Sequence, residues 1–401
     1  MSMNNQNKKT SRFKEKSEDD LSPVDLKQND SMLQELLNLS PDLFFRIDLK
    51  GFFEYLSPSA ENLFADIKNK GNAKTLLTDN PTNQETLQKI ISRSKQGEFI
   101  APFRLEFLGK YGKCITLEIQ GKPIEENEKI IAYAGVAHDI SNLIKAEAVI
   151  KKQNNRAQRE LDLAAQVHLT LIPPNLENEQ VSITINYLPV SGVGGDYTNY
   201  KLLNDGSIIF IICDVTGHGV PAALLVNRLD SEFERLAKTK PQPGKLLNRF
   251  NNFIKEYFEG TRMYLSAFCG HLNFLTMKLT YSNYGHPPQM LFQAMNSKIS
   301  SLAAQTHLVG LTHQKPNINF ENVRDINPGD RIICYTDGVI EADGSENEMF
   351  GYDRLKDFIL KNTMLSNFEF NEKLIQEAKD FTNDGFDDDI CVLSIDIKKQ
   401  L

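Results

Sequence analysis

Three largely apolar, β-branched runs in the second half of the chain lead to or from carboxylates. Ile208-Ile209-Phe210-Ile211-Ile212 runs towards Asp214 and Arg331-Ile332-Ile333-Cys334-Tyr335 towards Asp337, while Asp388-Asp389 open Ile390-Cys391-Val392-Leu393-Ser394-Ile395. Short runs of this kind predict buried strands. From Val181 onward they recur, with helical stretches at residues 221–238 and 244–258. Pro221 falls just inside a helix start, where its fixed φ suits the first turn.

Residues 31–140 carry a different pattern: a short helix at 32–37, then a hairpin of residues 43–48 and 52–56 about the Lys50-Gly51 turn. Strand-like runs follow at 99–107, 113–121 and 129–138, with turns at 109–112 and 125–128. Residues 142–172 contain no Gly or Pro until Pro173-Pro174 and predict one long helix. Along it Ile150, Asn154, Ala157, Leu161, Ala164, His168 and Leu171 alternate by four and three, the spacing of a two-stranded seam. A parallel homodimer through 142–172 is expected. Asn154, Ala157, Ala164 and His168 would bury little, so docking of this helix on one of the domains is the other reading. Residues 1–30 are rich in Asn, Lys, Ser, Glu and Asp, which cannot offset the entropy of ordering, and predict a disordered tail.

The plan is therefore α+β: a tail at 1–30, a small α/β domain at 31–141, a helical linker at 142–174 and a larger domain at 175–401. A length of 401 residues suits about two to three domains. With 45 Lys plus Arg against 53 Asp plus Glu, the net charge is −8, and no global basic surface is left to hold nucleic acid. The five cysteines are scattered and read as reduced core thiols, Cys114 among them. No apolar run approaches the ~18 residues that span a bilayer, and residues 1–20 lack a signal-peptide core, so no membrane association and a cytoplasmic location are expected.

Four acidic segments concentrate the chemistry: Gly194-Gly195-Asp196, Cys213-Asp214-Val215-Thr216-Gly217-His218-Gly219, Tyr335-Thr336-Asp337-Gly338 and Asp387-Asp388-Asp389. Carboxylates converging from the ends of separate buried strands imply bound cations or paired bases, since unpaired buried charge costs roughly several kcal/mol per ion. An all-oxygen donor set favours Mg²⁺ or Mn²⁺ over Zn²⁺.

The strands and small helices between Ser40-Pro41-Asp42-Leu43 and Ala137-His138-Asp139-Ile140-Ser141 resemble a PAS sensor domain; another small α+β regulatory domain remains the alternative. No Asn-Cys-Arg-type flavin motif is found, and His138, at the exit of the last strand, is an ordinary strand-end residue rather than a haem ligand. Residues 160–396 carry an ordered set of motifs. Glu160-Leu161 through Leu171-Ile172-Pro173 is followed by Val193–Tyr197, Asp214–Ala223, Ser282-Asn283-Tyr284-Gly285-His286-Pro287-Pro288, Pro328-Gly329-Asp330-Arg331, Tyr335–Glu341, Phe350-Gly351 and Asp388-Asp389-Ile390. Together they resemble the SpoIIE/RsbU branch of the PPM-type metal-dependent serine/threonine phosphatases.

That resemblance implies two antiparallel sheets flanked by helices and two Mn²⁺ or Mg²⁺ ions between them. Asp214 would bridge the ions with help from the Val215 carbonyl, Asp337 and Asp388 would complete the pair, and Asp196 would lie in or just behind the ligand set. It implies a phosphoserine or phosphothreonine substrate on a STAS-type anti-sigma-factor antagonist, under control of the PAS-like domain. The hypothesised control step moves the helix end near Leu161–Leu171 against the 221–238 helix.

Each residue also has a plainer role to weigh. Asp387 and Asp389 compete with Asp388; Asp196 could cap a turn; His218 could orient its glycine turn; His286 could support a loop; Asp330 reads as a turn residue. Two positions depart from the family pattern: Asn199 where an acidic residue is common, and Cys391 where Thr is common. The competing reading is a catalytically inactive phosphatase fold that sequesters a phosphorylated partner. A nucleotide cyclase, suggested by Gly-Gly-Asp alone, leaves the Thr-Asp-Gly and Asp-Asp-Ile elements unexplained.

Overall fold

The computed structural model describes residues 23–64, 71–94, 100–190, 192–217, 219–311, 320–344, 348–382 and 385–398. The chain falls into two compact units divided between Asn154 and Asn155. Its fold class is α+β.

In the first unit the elements are α1 (Pro23–Leu39), β1 (Leu43–Asp48), β2 (Phe53–Leu56), α2 (Ala60–Leu63), α3 (Pro81–Ser94), β3 (Ile100–Leu108), β4 (Cys114–Glu126) and β5 (Lys129–Asp139). They form an antiparallel sheet in the order β2-β1-β5-β4-β3. Its alternating inward positions, Leu105 and Phe107 with Ile115, Leu117 and Ile119, make the core with Leu43, Phe64 and Ala137. β4 and β5 continue to a tight turn at Asn127-Glu128, both with positive φ (51° and 60°), the conformation that matches hairpin twist. Three expectations need correction. The first helix starts at Pro23 rather than Met32, so only residues 1–22 of the expected tail lie outside the described residues. α3 was not foreseen. Cys114 is exposed, because it opens β4 on the face opposite Ile115 and Leu117.

Helix α4 (Ser141–Leu169) contains the division between the units. The second unit continues with β6 (Leu176–Glu177), β7 (Val181–Leu188), β8 (Asp196–Leu202), β9 (Ile208–Val215), α5 (Val220–Ala237), α6 (Pro243–Phe258), β10 (Leu265–Asn273), β11 (Lys278–Tyr284), β12 (Gln289–Gln293), β13 (Lys298–Leu302), β14 (Asn322–Asp325), β15 (Arg331–Tyr335), α7 (Asp337–Ile340), α8 (Gly351–Lys361), α9 (Asn367–Phe381) and β16 (Ile390–Ile397). One sheet runs β14-β11-β10-β9-β8 and the other β13-β12-β15-β16-β7-β6, both antiparallel in their pairings. Helices α8 and α9, which the sequence reading passed over, cover the second sheet.

Strand alternation builds the layers. Ile209, Ile211, Cys213 and Val215 of β9 pack under α5 and α6, whereas Ile208, Phe210 and Ile212 face the other sheet, where they meet Ile332, Cys334, Leu393 and Ile395. Each such side chain, fully buried, contributes about 1.5–3 kcal/mol relative to exposure. The same period of two puts Asp214 on the inter-sheet face, at the end of an otherwise apolar row.

Candidate active site

Asp196 and Asp214 stand directly opposite each other where β8 pairs with β9, and Ser266 of β10 flanks Asp214 on its other side. Thr336, at the end of β15, crosses between the sheets: its Oγ1 donates to Asp196 Oδ2 at 2.6 Å and accepts from the Cys391 backbone N–H at 3.0 Å. Asp337 is the first residue of α7, and Glu341 closes that turn. Asp388 is exposed at the entry to β16, its Oδ1 accepting from the Asp389 N–H at 2.8 Å.

Burial, then the charges of Asp337, Asp388, Asp389 and Glu341, raise the Asp214 carboxyl from 3.8 to about 7. Burial followed by Asp388 and Glu341 lifts Asp337 to about 6. Asp196 is pushed well above the ordinary range by burial and by Asp214, with the Thr336 hydroxyl opposing. Asp196, Asp214, Asp337 and Asp388 are thus brought into one electrostatic cluster whose strongest mutual influences are repulsive. Such a set is short of positive charge, and its donors are all oxygen, the chemistry that suits Mg²⁺ or Mn²⁺. Among the described residues, however, no three His, Cys, Asp or Glu side chains are gathered closely enough to hold an ion. The fit is one of donor chemistry and charge rather than of a closed cage.

Asp389 does a different job from its neighbour. Its Oδ1 accepts from Val190 N–H and its Oδ2 from Gly195 N–H, both at 2.9 Å, so it ties the Gly194-Gly195-Asp196 loop to β16. A methyl carbon on Gly194 would lie 1.9 Å from Asp389 Oδ2 and 2.0 Å from the Tyr187 hydroxyl, so any side chain there would push the Asp389 tether and the Tyr187 ring aside. The Tyr187 ring also meets His168, in the last turn of α4, with the rings tilted by 47° and their centroids 6.1 Å apart. The His168 ring is buried, and its Nδ1 has no hydrogen-bond partner among the described residues. Burial holds its pKa down, opposed by Asp389 and the Asp196 backbone, which places this helix end beside the acidic loop.

The Val215 side chain lies in the helix-side core while its carbonyl faces Gly195. Asn199 is on the helix side of β8, donating to Asp230 Oδ1 of α5 at 2.9 Å, where Tyr197 also donates. It therefore braces α5 and does not stand behind the carboxylates. Asp330 caps its turn by accepting from Asn327 and Ala294 N–H. Arg331 is committed elsewhere: it forks onto Asp396, donates to the Leu365 carbonyl at 2.6 Å and lies over the Phe370 ring. His286 is buried with Nδ1 2.6 Å from Ser266 Oγ, and burial drives its pKa down to about 3, so the ring is neutral. His218 lies outside the described residues. The reading of the sequence missed Thr336, Glu341, Tyr187 and the tether made by Asp389; the even spacing of Thr336 and Asp389 from the inter-sheet residues of β15 and β16 was the available signal.

Residues 204–398 match the family model of Stage II sporulation protein E (SpoIIE). Two curated proteins of Bacillus subtilis (strain 168) are similar. Phosphoserine phosphatase RsbU is 26% identical over 185 residues, 46% of this chain and 54% of that one. Phosphoserine phosphatase RsbP is 26% identical over 254 residues, 60% of this chain and 58% of that one. The chain thus spans rather more than half the length of these relatives. The solved SiaA-PP2C domain of Pseudomonas aeruginosa, 18% identical, covers 61% of this chain and 99% of its own with a TM-score of 0.54, a likeness of fold.

Proposed function

We propose that this chain, whose second unit is a SpoIIE/RsbU-type PPM phosphatase domain, is a metal-dependent phosphoserine/phosphothreonine phosphatase of bacterial signalling. The observation that carries this is the meeting of Asp196, Asp214, Asp337 and Asp388 from separate strand ends, with Asp214 and Asp337 held at about 7 and 6. Asp214, Asp337 and Asp388, with the Val215 carbonyl and Asp196, would hold two Mn²⁺ or Mg²⁺ ions. When bound, such ions supply an activated water and neutralise charge on the phosphoryl group. The chain itself orients the donors. Thr336 fixes the Asp196 carboxylate, Asp389 pins the loop that carries it, and the β8–β9 pairing sets Asp196 against Asp214. Arg331 being engaged with Asp396, the substrate phosphate would be met chiefly by the ions.

The substrate is a phosphorylated STAS-type anti-sigma-factor antagonist, and the first unit is a PAS-like sensor in a cytoplasmic homodimer joined through α4. Support comes from the relatives' phosphoserine phosphatase names and from the exposed first half of the α4 seam. No helix among the described residues is long and apolar enough to cross a membrane.

Phosphate release from a phosphoserine-bearing STAS-type protein, with Mn²⁺ titrated in and chelator as control, tests the reading. Metal-dependent turnover is expected. Among the described residues no three such side chains close around an ion, which favours one second reading, an inactive phosphatase fold that sequesters its phosphorylated partner; stoichiometric binding without turnover would establish that instead.

A further inference from the structure

The first unit contains a cavity of about 410 Å³, open to solvent on one side, between its sheet and the segments that follow β2, lined by Phe45, Phe64, Phe103, Leu105, Leu117 and Ile119 among other apolar groups. Its existence has a cause in the sequence. Gly121 and Gly135 face each other across β4 and β5, and a methyl carbon on Gly135 would stand 2.8 Å from the Phe45 ring and 2.3 Å from the Gln120 carbonyl. The two glycines thin the sheet, and the Phe45 ring lies over the space they leave. An engineered apolar cavity of about 150 Å³ stays dry and takes up benzene. The space here is larger and within the roughly 300–1,000 Å³ range of small-molecule sites.

The charged groups that line the cavity are Asp48 and Lys50 of the hairpin turn and Lys74, and β5 adds the Tyr133 hydroxyl. Lys50 and Lys74 line it and are exposed, and neither has an ion-pair partner among the described residues. Asp48 lines the same end, but its Oδ1 is occupied by the Lys50 and Phe52 N–H groups at 2.8 Å, which fixes the hairpin turn. The remainder of the lining is almost wholly hydrocarbon or aromatic. We propose that this cavity binds a small apolar molecule bearing one carboxylate, with the apolar body among Phe45, Leu105 and Leu117 and the carboxylate at Lys50 and Lys74. A cationic amphiphile is disfavoured by the same two ammonium groups, and an uncharged one forgoes their attraction.

Calorimetric titration of the full chain with decanoate, decan-1-ol and decylammonium tests this. Decanoate is expected to bind in the micromolar range and to raise the melting temperature of the first unit, with decylammonium at least about tenfold weaker. The double variant Lys50→Gln, Lys74→Gln, altered only at exposed positions, should lose about tenfold in decanoate affinity while decan-1-ol is unaffected. Leu117→Trp should weaken all three by filling the space. Equal binding of acid and ammonium, decanoate affinity untouched in the lysine variant, or no decanoate binding up to about 1 mM would overturn the proposal, and the lysine variant decides even where Leu117→Trp fails to fold. Vesicles of phosphatidylglycerol separate the free acid from a membrane source: retention on vesicles without any response to decanoate also overturns it.

Discussion

Removing the charge of Asp214 should stabilise the metal-free protein at alkaline pH, the reverse of what deletion of a buried polar partner does. The Asp214 carboxyl titrates at about 7 in the fold against an ordinary 3.8. A folded value above the unfolded one means that the folded state binds the proton more tightly. Above pH 7 the carboxylate is ionised in both states, and the fold bears the whole cost of burial and repulsion. As pH falls from 7 towards 4 the folded state gains a proton that the unfolded chain does not hold, so metal-free stability rises; below 3.8 the gain is complete. A displacement of about three pH units, at about 1.36 kcal/mol each, corresponds to ~4 kcal/mol. An uncharged Asn must still find partners there, so Asp214→Asn is expected to gain roughly 2–4 kcal/mol at pH 8, or roughly 5–15 °C for a unit of this size. The gain should shrink towards zero at pH 4.5. Scanning calorimetry in chelator across this range reads it as the difference between variant and parent, which cancels the titrating groups remote from Asp214 and leaves Asp214 together with the carboxylates coupled to it. Adding Mn²⁺ should reverse the order, stabilising the parent and leaving the variant unmoved. A variant that melts at or below the parent in chelator at pH 8, or a difference independent of pH, would falsify the account of the cluster.

Asp337→Asn should lower phosphate release by more than about 100-fold while the fold is retained, and normal turnover in that variant would remove Asp337 from the site. Asp389→Ala leaves the Val190 and Gly195 N–H groups without acceptors; roughly 2–5 kcal/mol should be lost, readable by urea unfolding, together with Mn²⁺ affinity. Arg331→Met breaks a largely buried pair with Asp396 and should cost about 3 kcal/mol, while KM for the phosphoprotein, measured in the same preparation, stays unchanged; a raised KM would restore Arg331 as a phosphate ligand.

Much of the second unit is legible in the sequence because buried strands announce themselves. The runs before Asp214 and Asp337 and after Asp389 are strands β9, β15 and β16, and strand parity alone assigns Asp214 to the inter-sheet face. Helices α5 and α6 fall within a residue of their expected bounds. The misses have physical reasons. Helix α9 opens on a reciprocal capping box of Ser366 and Glu369, a signal present as Ser-x-x-Glu but overshadowed by the surrounding polar residues. The division of labour between Asp388 and Asp389 follows from the loop that folds back across the sheet edge, a contact almost two hundred residues apart that no local pattern encodes.

The α4 stripe divides into two parts. Ile150, Asn154 and Ala157 are exposed, whereas Leu161, Ala164 and Leu171 are half-buried and His168 is fully so. The first half of the stripe is exposed, and the second half is docked: Leu171 packs on the core that contains Leu225 and Val226 of α5, and His168 reaches Tyr187. A rotation of α4 that served a dimer seam through its first half would therefore be felt at His168. From there the contacts run through Tyr187 to the carboxylate of Asp389 and so to the backbone of Gly195, one residue from Asp196. A control step in this chain then needs no large displacement near the carboxylates. Their mutual repulsion leaves Asp196 sensitive to small shifts of the loop that carries it, and His168 at the docked end of α4 interacts with the backbone of Asp196 itself.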